Sequence, residues 1–353
     1  MPLFAADDLT RFGAAVLTAA GAFAGEAHIV AASLVDANLC GHDSHGIVRL
    51  PSYVALLHQG HVSPGAELEI LRETPAVVHC DAHLGFGQVQ ARRLTELTIA
   101  KARTVGMASG TARDCGHVGR LGEYTEYAAR QGLAALLAVN DNGVLRTVAP
   151  PGGLEARIST NPLSIAVPTD GEPLVFDAST SAVAQGKVMV RRADNVPCPD
   201  GWLQDAAGQP SNDPHTLQAE PPGTLLPLGG PVAYKGFGLG VLLDLLCGGL
   251  SGGFCPPPRP QAHNCNTVLL AVWDPEWFSG RAHLQQQAAE LIASIRGCPR
   301  KPGVDRIDLP GDGSRQTRTE RSRHGIPVRD GVWQSLVEVA RSLGVEAAKP
   351  ASA

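Results

Sequence analysis

Gly41-His42-Asp43-Ser44-His45-Gly46, followed by Ile-Val-Arg49-Leu-Pro-Ser-Tyr53, places two imidazoles, a carboxylate, a hydroxyl and a guanidinium within nine residues. Imidazole is the side chain that ordinarily changes protonation near neutral pH. A guanidinium fork can hold a carboxylate through two parallel hydrogen bonds. Such a group could move a proton and hold an anion at once, as oxidation of a hydroxy acid requires. If the stretch is helical, His42, His45, Arg49 and Tyr53 fall within about 80° of one another at roughly 100° per residue. If it is a bend, they still share one corner. A single histidine usually just makes hydrogen bonds in a fold; the density here argues for a site.

A second candidate is Asp114-Cys-Gly-His117-Val-Gly119-Arg-Leu-Gly122-Glu-Tyr. His117 stands among glycines at the expected start of a helix ending by Gly132. A helix N-terminus disfavours imidazolium, so His117 should stay neutral and able to accept a proton. The plain alternative is a glycine-rich turn carrying a surface histidine. Lys187 and Lys235 each adjoin a glycine inside uncharged stretches, which suits a phosphate or carboxylate partner. Pro310-Gly311-Asp312-Gly313 reads on its own as a turn.

No dinucleotide fingerprint accompanies these residues. Gly236-Phe-Gly238-Leu-Gly240 and Gly248-Gly249-Leu-Ser-Gly252-Gly253 lack the Gly-x-Gly-x-x-Gly spacing after a strand, and no Walker loop occurs. A bound nucleotide would need another kind of cradle. Twelve histidines are present, but no His-Glu-x-x-His or compact His/Cys set points to a metal.

The elements that must position these residues follow from periodicity. Residues 1–60 read as helices: one capped by Asp7, a second over 26–39, and a third with Pro51 in its first turn, running to about Gln59. The 44–49 stretch is then the bend between two helices. Strand-like runs are expected at 76–81, 107–112, 133–139, 164–168, 174–176 and 267–273. Helices are expected at 87–105, 124–131, 239–250, 281–296 and 332–343. Residues 255–260 read as a surface loop and 299–323 as a polar connection. The fold class is α/β (α+β).

Length and composition bound the function. A chain of 353 residues suggests two domains, and 44% hydrophobic content with 18% charge is that of a protein with substantial cores. A net charge of −5 gives no reason to expect nucleic acid. No uncharged apolar run reaches the roughly 18–20 residues of a membrane span. The segment 12–25 ends in a signal-peptidase-like Ala-Phe-Ala. However, Asp7 and Asp8 precede it where a secretory leader is positive, and its apolar spacing is helical. Eight scattered cysteines without a Cys-x-x-Cys pair suit a reduced, cytoplasmic protein.

Taken together, these segments resemble the malate/L-lactate dehydrogenase family of the second type, which includes ureidoglycolate, sulfolactate and diketogulonate dehydrogenases. The matching blocks run from 41–51 and 116–122 through 149–153, 159–162, 176–181 and 185–187. They continue through 226–230, 235–239, 309–312 and 323–327, in order across nearly the whole chain. Residues 46–53, 264–267 and 274–278 are most similar to the hydroxycarboxylate dehydrogenase B branch.

The resemblance implies a non-Rossmann NAD(P)-binding sheet domain over 76–319. It also implies a helical substrate-side domain over 1–75, joined by 320–353, and a homodimer. By motif, Ser44, His45, Lys187 and His117 match the substrate and proton-transfer group, with either imidazole as acid/base. Arg49 would hold the substrate carboxylate, and Tyr53 lies with it on the substrate side. Asn140, Asp177, Ala178, Ser179, Lys235, Gly236, Pro310, Gly311 and Asp312 match cofactor-binding positions for NAD or NADP. Asn140-Asp141-Asn142 departs from the family's usual Thr-Asn-Ser, and Asp312 stands where Glu is common. The expected reaction interconverts a small 2-hydroxy acid and its 2-oxo acid. The alternatives are reduction of a cyclic imine acid, a metal-dependent hydrolase, and a relative without catalysis.

Overall fold

The computed structural model describes residues 1–350. From the N-terminus run β1 (Leu3–Phe4), α1 (Ala6–Ala19), α2 (Ala24–Leu39), α3 (Leu50–His58), β2 (Glu69–Glu73), β3 (Val77–Asp81), α4 (Gly87–Val105) and β4 (Met107–Cys115). Then come α5 (Gly122–Arg130), β5 (Ala134–Asn140), β6 (Leu163–Val167), β7 (Leu174–Ala178), α6 (Gln185–Ala193), β8 (Leu203–Gln204), β9 (Pro210–Ser211) and β10 (Thr224–Leu225). The chain closes with α7 (Tyr234–Asp244), β11 (Asn266–Trp273), α8 (Arg281–Arg296), α9 (Asp312–His324), β12 (Ile326–Pro327) and α10 (Asp330–Ser342).

The two largest apolar cores organise most of these elements. In α1, Leu9, Phe12 and Val16 recur at helical spacing and are buried. They pack with Val30 and Leu34 of α2, Leu50 and Tyr53 of α3, and Leu336 and Ala340 of α10. The β1–β12 pair brings the two ends of the chain together there. The second core lies where α4 and α5 cover one sheet, with Leu94, Ile99 and Tyr124 against Leu137, Val268 and Leu270.

That sheet has seven strands in the order β2-β3-β4-β11-β5-β6-β7. Only β3 and β4 pair in parallel; every other neighbour is antiparallel. The C-terminal ends of β3, β4, β5 and β7 therefore share one edge with the N-terminal ends of β6 and β11. Side chains placed just beyond those ends converge without a phosphate loop.

Several expected elements differ. Asp7 does not cap α1: the cap position is Ala5, and Asp7 and Asp8 sit in the first turn, where the helix dipole favours them. The polar connection over 299–323 contains α9, a helix that buries no residue and so shows no apolar period. The 239–250 helix starts earlier, at Tyr234, and ends in a π-helical turn over Leu245–Gly249. The helix α6 over 185–193 and the exposed strand β2 were not expected; each buries too little to leave a pattern.

Candidate active site

The 41–49 segment is a bend of two single 3₁₀ turns, Asp43–His45 and Ile47–Arg49, between α2 and α3. Asn38 of α2 fixes its shape. The Asn38 amide donates to Asp43 Oδ1 at 2.7 Å, and Asn38 Oδ1 accepts from the Ile47 backbone N–H at 2.8 Å. A Cβ at Gly46 would collide with that same Asn38 side chain, so the position requires glycine. Asp43 also receives the Arg321 guanidinium of α9, at 2.6 and 3.0 Å. Its carboxylate anchors the bend.

What remains free on the bend are Ser44, His45 and Arg49. Ser44 Oγ and His45 Nδ1 lie 3.1 Å apart. Arg49 Nε donates to the Ser44 carbonyl at 2.8 Å, while its Nη groups make no hydrogen bond or ion pair among the described residues. The guanidinium is thus aimed by one nitrogen and open at the other two. The start of α6 closes over this corner: a Cβ on Gly186 would stand 2.6 Å from Ser44 Cβ. The adjoining Lys187 is near enough for its charge to depress both His45 and His42.

His117 comes from the other side, in the loop after β4. The loop does not start a helix at His117, which precedes α5 by five residues. A Cβ on Gly87, the first residue of α4, would run into the Gly116–His117 backbone, so the two segments pack peptide against peptide. The His117 ring stacks on that of His45, with centroids 5.5 Å apart and planes 15° from parallel. The Tyr53 hydroxyl contacts His117 Nδ1 at 2.7 Å and accepts from the Gln88 amide at 2.8 Å. Tyr53 is only 4% exposed, and its hydroxyl is engaged on the core side of the imidazole.

Electrostatics follow from this burial. Desolvation pushes His45 down to about 3, helped by the Arg49 charge, His42 and Lys187. Desolvation, then Arg49 and His45, hold His117 well below the usual histidine range. The expected neutrality of His117 is present, but burial causes it and no helix terminus is involved. Burial likewise pushes Tyr53 up to about 12. Two uncharged imidazoles therefore stand within reach of a cation whose fork is open.

The other singled-out residues divide into groups. The Asp177 carboxylate, on β7, accepts from the Gly122 backbone N–H at 2.7 Å. It lines a cavity of about 270 Å³ with His42, Arg120, Pro310, Gly311 and Arg318. Asp312 closes the adjacent turn, bonding the Leu309 N–H at 2.9 Å and pairing with Arg315 at 2.6 Å. Ala178 ends β7, and Ser179 Oγ bonds the Ser181 carbonyl at 3.2 Å. Lys235 and Gly236 lie in the first turn of α7, with Gly236 pressed on the Leu228 backbone. No hydrogen bond or ion pair among the described residues joins Lys235 to the imidazole pair. Asn140 is buried at the end of β5 and spends its side chain internally, on Asp244, the Phe254 carbonyl, the Asn142 N–H and Thr267.

Sequence reading missed two participants. Gln88 is a buried polar residue on α4 with no motif around it. Arg120 was visible only as part of a glycine-rich block. It is 4% exposed and joins Asp36 of α2 at 2.9 Å to Glu126 of α5 at 3.4 Å. Arg318 of α9 completes the cluster at 2.6 Å from Asp36. This network locks the His117 loop to the helical layer that carries the bend. Among the described residues, no three His, Cys, Asp or Glu side chains gather as a metal site.

Comparison with known proteins places the whole chain among dehydrogenases and a reductase of small organic acids. Hydroxycarboxylate dehydrogenase B of Escherichia coli K12 is 36% identical over 349 residues, covering 97% of this chain and 94% of the relative. The structure of malate dehydrogenase from Pyrococcus horikoshii superposes with a TM-score of 0.88 at 31% identity, over 98% of this chain and 96% of that one. A Δ1-pyrroline-2-carboxylate/Δ1-piperideine-2-carboxylate reductase of Pseudomonas syringae is 34% identical over 321 residues, 89% of each chain. The model of the malate/L-lactate dehydrogenase family matches residues 4–337, a span that takes in the bend, the His117 loop and the 310–312 turn. The chain belongs to the malate/L-lactate dehydrogenase family.

Proposed function

We propose that the protein is an NAD(P)-dependent dehydrogenase that interconverts a small 2-hydroxy acid and its 2-oxo acid. The observation that carries this reading is the pair of stacked, neutral imidazoles beside Arg49, whose Nη groups are free. Arg49 takes the substrate carboxylate, which sets the reacting carbon beside the two rings; such positioning is worth several kcal/mol of barrier. His117 exchanges the proton with the substrate oxygen through Nε2, since Nδ1 is committed to Tyr53. Ser44 and Lys187 polarise that oxygen, and His45 lines the opposite ring face.

A nicotinamide cofactor supplies the hydride acceptor at C4 when bound. The donor chemistry along the sheet edge suits it. Asp177 can accept from ribose hydroxyls, while Arg120, Arg315 and Arg318 bring positive charge to the cavity bounded by the 310–311 turn. A side chain at Gly313 would meet no neighbouring atom, so that turn is open. A neighbouring cavity of about 810 Å³ shares Arg315 and is lined by Arg296, Arg300, Arg306 and Arg323, so it can also meet a ribose phosphate. We assign the cofactor to this non-Rossmann sheet domain over 76–319. The helical domain of 1–75 and the C-terminal segment from 320 carries the substrate side.

The exposed face of α7 and its π-helical turn supports a homodimer. Leu239, Leu242, Leu245, Leu246 and Leu250 are each 40–59% exposed there, a contiguous apolar surface that a second copy would cover. Eight free cysteines fit a reducing compartment such as the cytoplasm.

The test is a steady-state panel with NADH and NADPH against malate-, lactate- and sulfolactate-type 2-oxo acids and against cyclic imine acids. Turnover of the oxo acids supports the proposal. Preference for the imines would move it to the reductase reading, which the Pseudomonas relative favours and which uses the same carboxylate clamp. No turnover with either cofactor, together with a chelator-sensitive hydrolysis, would overturn both.

A further inference from the structure

The Tyr53 hydroxyl has one hydrogen to give and sits between two partners. Gln88 Nε2 can only donate, and it does so to Tyr53 Oη at 2.8 Å. The hydroxyl hydrogen is then directed at the other partner, His117 Nδ1, 2.7 Å away. A neutral imidazole that accepts at Nδ1 carries its own proton on Nε2. All three side chains are held. Gln88 is 1% exposed, Tyr53 4%, and the Gly87 contact leaves the His117 backbone no room to shift. Gln88 Oε1, buried and without a partner, makes no competing demand on the hydroxyl.

We propose that Gln88 is a positioning residue that sets, through Tyr53, which nitrogen of His117 bears the proton. It presents Nε2–H to the substrate oxygen. This rests on the assignment of His117 as the proton-exchanging group. The free enzyme then offers a hydrogen-bond donor that orients and polarises the carbonyl oxygen of a 2-oxo acid. When Nε2 gives its proton to that oxygen, Nδ1 takes one from solvent, so the ring ends neutral as Nδ1–H. Acceptance of a proton at Nε2, which oxidation needs, requires the Tyr53 hydroxyl to turn away from Nδ1.

The chemistry predicts opposite outcomes for two substitutions. Gln88→Glu replaces the donor by a carboxylate that accepts from Tyr53. The Tyr53 oxygen is then left to accept Nδ1–H, and the imidazole proton moves from Nε2 to Nδ1. Gln88→Leu removes the constraint and leaves a mixture. Nitrogen-15 NMR of histidine-labelled full-length protein reads the tautomer directly, with the His117 signals identified by their loss in His117→Asn. The expected result is Nε2–H in the wild type, Nδ1–H in Gln88→Glu, and both forms in Gln88→Leu. In oxo-acid reduction both variants should lose about tenfold in kcat, with KM within about twofold and the pH profile displaced.

A wild type in the Nδ1–H form, or a tautomer unchanged in both variants, overturns the proposal. A residue that only filled space would lower thermal stability and leave the tautomer and pH profile alone. The NMR readout needs no turnover. A protein with the expected tautomers but no dehydrogenase activity would therefore fail the functional reading and leave this one standing.

Discussion

His45 and His117, 72 positions apart in the chain, stack ring on ring at 5.5 Å because two packed layers each deliver one of them. The bend after α2 supplies His45, and the loop after β4 supplies His117. Neither imidazole has a carboxylate to hold a charge, and Arg49 bears on both. The pair is therefore kept neutral, with the nearest positive charge reserved for an anionic ligand.

Arg49→Ala should raise the KM for the organic acid while changing kcat by less than about threefold. A hydrogen-bonded charge pair of this kind is worth about 1.5–3 kcal/mol, or roughly tenfold to a hundredfold in binding. Arg49→Lys should recover little, since Lys has no Nε to lie on the Ser44 carbonyl and no fork to present. Steady-state kinetics decide it: an unchanged KM removes the clamp from Arg49.

His117→Ala should act the other way, lowering kcat roughly a hundredfold to ten-thousandfold with KM little changed. His45→Ala should cost less, since its ring lines the site while Nδ1 stays near Ser44. A larger loss at His45 than at His117 would exchange their roles.

How much of this was legible in the chain depends on where each constraint lies. The bend announced itself because Gly46, Pro51 and the polar cluster are local. Strands such as β11 and helices such as α4 and α8 followed from periodicity. Tyr53 was read as a substrate-side residue because its spacing matches Arg49; only the packing of α4 shows its hydroxyl engaged with His117 and Gln88. Gln88 and Arg120 left no signal, because their partners come from elements distant in sequence: Tyr53 lies 35 positions from Gln88, and Asp36 lies 84 from Arg120. The helix α9 was missed for a related reason. Its arginines satisfy Asp36 and Asp43 and bury no apolar face, so its sequence carries no period.

Arg120→Met should destabilise the fold, besides removing one charge from the cofactor cavity that Arg120 lines. Removal of the guanidinium leaves Asp36 with Arg318 alone and Glu126 with Arg130 alone, so the loss should stay at or below the about 3–5 kcal/mol of a fully broken buried pair. Denaturant titration checks the loss. A variant as stable as wild type would show that the cluster carries little net energy.

Leu242→Glu, at a position 58% exposed on α7, should convert a dimer into a monomer without lowering the unfolding midpoint of the isolated chain. Multi-angle light scattering gives the mass. A mass unchanged by the substitution would put the interface elsewhere or deny it.

Acid should weaken the fold through the imidazole pair. In the unfolded chain both histidines protonate as pH falls through about 6.5. In the native state His45 resists until about 3, and His117 is likewise depressed. The unfolded state therefore binds more protons over this range, and stability falls as pH falls. Each group contributes up to about 1.4 kcal/mol per pH unit, and nothing above about 6.5, where both states are neutral. Denaturant midpoints at pH 7.5, 6.0 and 5.0 should decline most steeply below 6.5. In His45→Gln/His117→Gln, where neither site titrates, the decline over that window should flatten. An equal slope in the double variant would mean that these rings take up protons in the native state as readily as in the unfolded chain.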